Sequence, residues 1–222
     1  MPAPPREGHE GQQHPFPRLR WAALLWLSLW VPAYASVWGF ANFLHLCDVA
    51  VILTCAGLWT GSALLLSSQA VSSLVIDLLW DVDAASRLFT GRHLLGGTEY
   101  LWDPGFPLAV RLVSLFHVVW PVLLVWSLRR VGYDRRGFWL QVALASVLLV
   151  AARFTDPRLN INFAFRDPIF HRSLGPAPLH LAVSILGLAV LVYLPVHLAL
   201  ARLFGEQFSL SSRRRETLRS GA

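Results

Sequence analysis

The chain contains six apolar stretches, and most of them approach the roughly 20 residues that cross about 30 Å of hydrocarbon as a helix. They cover Trp21–Ala35, Phe40–Leu58, Ser62–Trp80, Pro107–Leu128, Gly137–Ala152 and Pro178–Phe204. Charged residues make up only 14% of the chain, whereas soluble domains carry about 25%. This pattern predicts an all-α fold, a polytopic membrane helix bundle of about six transmembrane helices.

The arginines predict how that bundle is oriented. With six spans, twelve arginines fall on one side of the membrane, together with both termini, and six fall on the other. The heavier side carries Arg6, Arg18, Arg20, Arg129, Arg130, Arg135, Arg136, Arg202, Arg213, Arg214, Arg215 and Arg219, and the lighter side carries Arg87, Arg92, Arg153, Arg158, Arg166 and Arg172. Because cytoplasmic segments are enriched in basic residues, we expect a multi-pass protein of the cell membrane with both termini cytoplasmic.

The first apolar stretch has a second interpretation. Arg18 and Arg20 precede an apolar run that ends in Ala33-Tyr34-Ala35, which resembles the cleavage site of a signal peptide. The apolar character continues beyond that point, and without this span the arginines would divide nine to nine, so we favour a membrane span. A third interpretation is that this stretch lies at the membrane interface without crossing the membrane.

Composition divides the chain into three parts. Residues 1–17 are rich in Pro, Gly and Gln and are expected to form a disordered cytoplasmic arm. Residues 18–208 form the transmembrane helical domain, and residues 209–222 form a basic cytoplasmic tail that favours anionic headgroups. Membrane lipids are therefore the predicted partners, protein partners are left open, and no nucleic-acid partner is expected.

Polar side chains occur within the apolar stretches, where they are costly unless they face a protein interior or a water-filled cavity. A spacing of three or four residues places them on one face of the second, third and fourth helices, in the same leaflet. We therefore expect one polar pocket that opens outward. Its predicted substrate-binding residues are Asn42, His45, Asp48, Gln69, Ser73 and Arg111, joined from the second outer loop by Asn160 and Asn162.

Packing alone explains these residues one at a time. Asp77 and Arg111 could form an ion pair that fixes helix register, and Asn42 and Gln69 could join helices by hydrogen bonds. Packing gives no reason for two histidines, carboxylates and an arginine to gather in one leaflet. The gathered set therefore indicates a functional site.

Three chemistries fit such a set. A metal is disfavoured because no helix carries two ligands at metal-binding spacing, so we predict no metal and no cofactor. A proton or ion relay is the second. The third is nucleophilic catalysis by Cys47. On a helix Cys47 lies about 200° from His45, so His117 would be its base, oriented by Asp77 or Asp48.

Several motifs resemble a family of small, uncharacterised bacterial membrane-associated proteins. They include the stretch of residues 42–50, Asp103-Pro-Gly-Phe-Pro107, residues 114–117, residues 129–136 and Asn160-Ile-Asn-Phe163. A fainter similarity links His45-Leu-Cys47 and Phe116-His117 to the YwaF-like integral membrane family, whose animal relatives act as cysteine-dependent phospholipid acyltransferases. That resemblance implies Cys47 as nucleophile and His117 as its base.

Two functions follow as expectations. The first is a membrane-embedded acyltransferase or hydrolase that acts on a lipid-like substrate at the outer leaflet, with Cys47, His117 and Asp77 as catalytic residues. The second is a non-enzymatic membrane scaffold, or a small-molecule or ion-binding protein with a buried polar cluster. The sequence leaves open whether the protein is an enzyme.

Overall fold

The computed structural model describes residues 14–204 of the chain. This part is helical and contains no β-strand. Its α-helices are α1 (Leu19–Trp38), α2 (Leu46–Thr60), α3 (Ala63–Thr90), α4 (Leu108–Val113), α5 (Phe116–Val131), α6 (Arg136–Ala152) and α7 (Ala177–Phe204). A π-helical stretch, Leu188–Tyr193, interrupts α7, and short 3₁₀ segments cover Phe40–Leu44, Glu99–Leu101 and Ile161–Phe163.

Helix α3 lies at the centre of the bundle, because it packs against α2, α5 and α6. Leu66, Ala70 and Val71 of α3 are fully buried, as are Leu124 and Leu128 of α5. Burying a side chain of this size stabilises a fold by about 1.5–3 kcal/mol where water is the alternative solvent. For helices that contact lipid instead of water, close packing carries more of the association.

Close backbone approach fixes α6 against α3. A Cβ atom at Gly137 would lie 2.7 Å from the Cβ of Ser67 and 2.8 Å from the backbone nitrogen of Ser68. The Ser67 hydroxyl also accepts a hydrogen bond of 2.8 Å from the backbone N–H of Asp134. Only glycine permits this contact, so the start of α6 is held at the start of α3.

Four helices are long and apolar enough to cross a membrane: α1, α3, the combined Leu108–Val131 segment and α7. The helices α2 and α6 are apolar but shorter, with 15 and 17 residues. Large apolar side chains such as Val122, Leu186 and Leu191 are exposed on the outside. The all-helical prediction is confirmed and is compatible with an integral, multi-pass membrane protein. The count of about six spans is not confirmed.

The helix ends differ from the predicted ends at three places. The second apolar stretch is not one helix, because His45 has extended backbone angles between the 3₁₀ segment and α2. Helix α3 continues to Thr90, beyond the predicted end at Trp80, since no glycine or proline interrupts it before Gly91. The fourth stretch changes geometry at Ser114, where successive backbone hydrogen bonds join residues three apart.

The predicted terminal arm and tail fall largely outside the described residues. The structure does not describe residues 1–13 and 205–222. Of the remaining arm, Phe16 is buried beside Trp126, and the ring of His14 is hydrogen-bonded to the carbonyl oxygen of Trp59.

Candidate functional site

A cavity of about 260 Å³ lies where α1, α2, α3 and the α4–α5 junction meet. Five residues of the predicted site line it: Asn42, His45, Cys47, Asp48 and His117. The 3₁₀ segment and the first turn of α2 supply four of them, and α5 supplies His117. The structure therefore brings together the two residues that were predicted as nucleophile and base.

The ring of His117 is held in one orientation. It is stacked between the rings of Trp80 and Phe116, with centroid separations of 4.4 and 4.1 Å. Its Nδ1–H donates to the carbonyl oxygen of Ser114 at 2.8 Å. A carbonyl can only accept, so Nδ1 carries the proton and Nε2 keeps its lone pair. Nε2 makes no hydrogen bond within residues 14–204 and is available as a base.

That orienting contact differs from the prediction, which gave the role to Asp77 or Asp48. The Ser114 carbonyl accepts both the backbone N–H of His117, at 3.3 Å, and its Nδ1–H, because the chain there forms backbone hydrogen bonds between residues three apart. A local turn thus does what a carboxylate does in a catalytic triad. The arrangement fixes the tautomer of His117 without placing a charge behind it.

Cys47 and Asp48 stand in the first turn of α2. The Asp48 carboxylate accepts a hydrogen bond of 2.5 Å from the Asn42 amide, and it is buried. The Cys47 thiol lies 4.0 Å from the other oxygen of Asp48. Across the part of the chain that the structure describes, no hydrogen bond joins Cys47 to His117. Cys47 is partly exposed, whereas Cys55 is buried.

The start of α2 also presents backbone donors. The first N–H groups of a helix have no acceptor within the helix. Asn162 accepts from that of Leu46 at 2.9 Å, and those of Cys47 and Asp48 lie beside the Cys47 sulfur. Such groups stabilise developing negative charge on a bound oxygen.

Asn162 and Asn160 build the loop that supports this turn, and neither lines the cavity. The Asn162 amide donates to the carbonyl oxygen of Leu44 at 2.7 Å, in addition to accepting from Leu46. Asn160 accepts from the backbone of Phe165 and Arg166. Both asparagines have left-handed backbone angles, which asparagine tolerates better than most residues. Their predicted role in substrate binding becomes one of positioning.

Four further predicted residues do not line the cavity. Asp77 is buried with one carboxylate oxygen unpaired, and Arg111 donates to the Leu101 carbonyl at 2.8 Å. The two do not form an ion pair; the salt bridges of residues 14–204 are His93–Asp83 and Arg136–Asp134. Gln69 donates to Ser68, and Ser73 is buried nearby. A four-residue period placed Gln69, Ser73 and Asp77 on one stripe of α3, but all three are buried inside the bundle and none lines the cavity.

Sequence reasoning missed the aromatic wall of the cavity. Tyr34, Trp38, Trp80 and Tyr100 line it, and the Tyr34 hydroxyl is 2.7 Å from that of Ser114. Tryptophans at the ends of apolar stretches are typical of anchors at the membrane interface, which gives no reason to expect them in a cavity wall. Their position at the end where polar residues gather was the signal that could have identified them.

A buried carboxylate holds the loop over the cavity. Asp83 accepts from the backbone N–H groups of Leu94, Leu95 and Gly96 and from the Thr98 hydroxyl, and lies 3.0 Å from the His93 ring. Gly97 of this loop lines the cavity. Asp83 therefore sets the position of one wall, a role that nothing in the sequence pattern indicated.

Two carboxylates outside the membrane-spanning segments have shifted acidities. The Arg136 guanidinium beside Asp134 lowers the pKa of that carboxyl below its usual range. Hydrogen bonds from backbone N–H groups, of which that of Phe170 has the largest effect, lower the pKa of the Asp167 carboxyl. Both groups stay ionised at neutral pH, and neither lines the cavity.

Within residues 14–204, no group of three or more His, Cys, Asp or Glu is arranged to hold a metal ion. No family model matches the chain, and no curated protein or solved structure matches it significantly. The site's own geometry therefore carries the functional argument.

Proposed function

We propose that the protein is a membrane-embedded acyltransferase or hydrolase that acts on an ester of a lipid-like substrate, with Cys47 as nucleophile and His117 as base. One observation carries this proposal. Cys47 and His117 line the same cavity of about 260 Å³, and the hydrogen bond from Nδ1–H of His117 to Ser114 leaves Nε2 as its basic nitrogen.

The reaction divides between these two groups. Nε2 of His117 takes the thiol proton as the sulfur attacks the acyl carbonyl, and the N–H groups at the start of α2 receive the developing oxyanion. The leaving alcohol takes the proton back, and an acyl thioester remains on Cys47. A second alcohol, or water, then attacks the thioester with His117 again as base. Catalytic hydrogen bonds are often long or poorly aligned until substrate binds, so the lack of one between Cys47 and His117 within residues 14–204 is compatible with these roles.

The walls suit an amphipathic substrate. Trp38, Trp80 and Tyr100 offer apolar surface, while Asn42 and His45 offer hydrogen bonds at the same cavity. A lipid ester needs both kinds of contact, one for its chain and one for its polar group. We further propose a cell-membrane location with both termini cytoplasmic, which puts the cavity at the outer leaflet.

The test uses the full chain reconstituted in phospholipid vesicles that contain a lysophospholipid. Mass spectrometry follows transfer or release of the acyl group, and hydroxylamine-sensitive acylation of Cys47 reports the thioester. We expect Cys47→Ala and His117→Ala to abolish both signals. Cys55→Ala and His197→Gln are matched controls, because Cys55 is buried outside the cavity and His197 is hydrogen-bonded to Tyr133.

Chemical labelling gives a second measurement. A lipid-like electrophile should modify Cys47 much faster than Cys55, and loss of His117 should slow the reaction at Cys47 more than loss of His45. Equal labelling of both cysteines, unchanged in His117→Ala, would eliminate Cys47 as the nucleophile.

The alternative is a protein that binds a small molecule or ion at this cavity without turnover. One observation favours it: the Cys47 thiol is directed to the Asp48 carboxylate, and no hydrogen bond joins it to His117 within residues 14–204. Binding of a non-hydrolysable ether lipid that persists in Cys47→Ala, with no acyl transfer in the unaltered protein, would support this function instead.

A further inference from the structure

A second cavity lies at the end of the bundle away from the Cys47 cavity. It has a volume of about 290 Å³ and is formed by α3, α5 and α7. Arg129 lies twelve residues beyond His117 along Leu108–Val131, a rise of about 18 Å. The two cavities therefore sit at different depths, and the proposed acyl chemistry does not use the second one.

The walls of this groove are apolar apart from one cation. Leu74, Val125, Val196, Leu200 and Phe204 contribute hydrocarbon, and Arg129 is the charged residue among the lining side chains. From Val196 to Phe204 the groove follows α7 for about 12 Å, close to the roughly 15 Å depth of one leaflet. Its dimensions suit one extended acyl chain.

Arg129 has no partner that would neutralise it in the described part of the chain. The salt bridges there involve His93 and Arg136, and no hydrogen bond from Arg129 is formed. Its neighbour Arg130, by contrast, stacks on Trp126 and donates to the Pro15 carbonyl. An exposed guanidinium at the mouth of an apolar groove, in the last turn of α5, complements an anionic group that carries a hydrocarbon chain.

We propose that this groove binds an anionic phospholipid, with its phosphate at Arg129 and one acyl chain along Val196–Phe204. All three helices that form the groove are long and apolar enough to cross a membrane, so its natural surroundings are lipid. Arg129 selects for the negative headgroup by bidentate hydrogen bonding, and the groove excludes the competing water.

The experiment uses the full chain in phosphatidylcholine vesicles that contain a trace of phosphatidylglycerol with a photoreactive acyl chain. Peptide mapping should find cross-links at Leu200, Leu203 or Phe204, and unlabelled phosphatidylglycerol should compete better than phosphatidylcholine. Arg129→Gln should weaken that competition about fivefold, which corresponds to about 1 kcal/mol per basic residue near a membrane surface. Arg136→Gln is the control, because Asp134 already pairs with that arginine.

A second variant tests the groove itself. Ala199→Trp places a large side chain among the lining residues without changing any charge, and it should remove the cross-links. If Ala199→Trp fails to fold, the Arg129→Gln result still decides, because Arg129 is exposed. Equal competition by the two lipids, or cross-linking unaffected by Arg129→Gln, would overturn the proposal. Increased labelling in Phe208→Ser would show that the chain beyond residue 204 occupies the groove, which would also overturn it.

Discussion

Replacement of Asn162 should loosen the turn that carries Cys47. The Asn162 side chain accepts from the backbone of Leu46 at 2.9 Å and donates to the carbonyl of Leu44 at 2.7 Å, so it bridges the 3₁₀ segment and α2. Each hydrogen bond contributes about 1 kcal/mol. Asn162→Ala should therefore lower the free energy of opening this turn by about 2 kcal/mol.

Hydrogen exchange measures that opening directly. Amides exchange through local unfolding, and about 1.4 kcal/mol corresponds to a factor of ten, so peptides that cover residues 46–51 should exchange about 30-fold faster in Asn162→Ala. Asn162→Asp keeps the acceptor for Leu46 and loses the donor to Leu44. Its exchange should rise by about fivefold, the factor for one hydrogen bond.

Asn160→Ala is the matched control. Asn160 has the same left-handed backbone as Asn162 and also makes side-chain hydrogen bonds, but only within its own loop. Its replacement adds the same backbone strain and leaves α2 without direct change. Exchange in residues 46–51 that rises less than about threefold in Asn162→Ala, or equally in Asn160→Ala, would refute the bridging role.

Four other perturbations probe the fold and its loops. Gly137→Ala should cost about 1–3 kcal/mol by thermal unfolding in detergent, because its Cβ would meet Ser67, whereas Gly187→Ala, with open space around it, should not destabilise. Asp134→Asn should be less stable than the unaltered chain above pH about 4, and the difference should vanish as pH falls through the lowered pKa of Asp134, since only the ionised carboxyl pairs with Arg136. Asp83→Asn should free the loop of residues 93–98, measured as faster alkylation of Cys47 with Cys55 as the internal reference. Reporter fusions at the N-terminus and after Gly205 should both give the cytoplasmic signal. Opposite signals would show that one of the six predicted spans does not cross the membrane.

Hydropathy located the helices well because apolar surface is what the membrane selects. It could not place their ends, since the end of a helix depends on backbone angles and capping. Gly91 ends α3 with φ +75°, eleven residues beyond Trp80, where the third apolar stretch ends. The break at His45 has no signal in hydropathy, because the residues on both sides are equally apolar.

Part of the cavity lining could be predicted from the sequence, because several of the lining residues lie close together along the chain. Asn42, His45 and Asp48 line one cavity although no single helix carries them, because all three lie close to the point where the 3₁₀ segment meets the first turn of α2. Asp77 was misplaced for a tertiary reason. It lies on the stripe of α3 that packs inside the bundle, whereas Trp80, three residues later, lines the cavity.

The two cavities give the bundle a functional asymmetry. Around Cys47 the polar groups are fixed by contacts within the protein: Asn42 binds Asp48, Ser114 orients His117, and Asn162 holds the first turn of α2. A site prepared in this way suits a reaction, because little reorganisation remains when charge develops. The groove at Arg129 has a single unneutralised charge and otherwise only hydrocarbon, so it can hold a ligand but offers no base or nucleophile. The proposed acyl chemistry is therefore assigned to the first cavity, and the lipid proposed at Arg129 would act on it through α5, the helix that carries both His117 and Arg129.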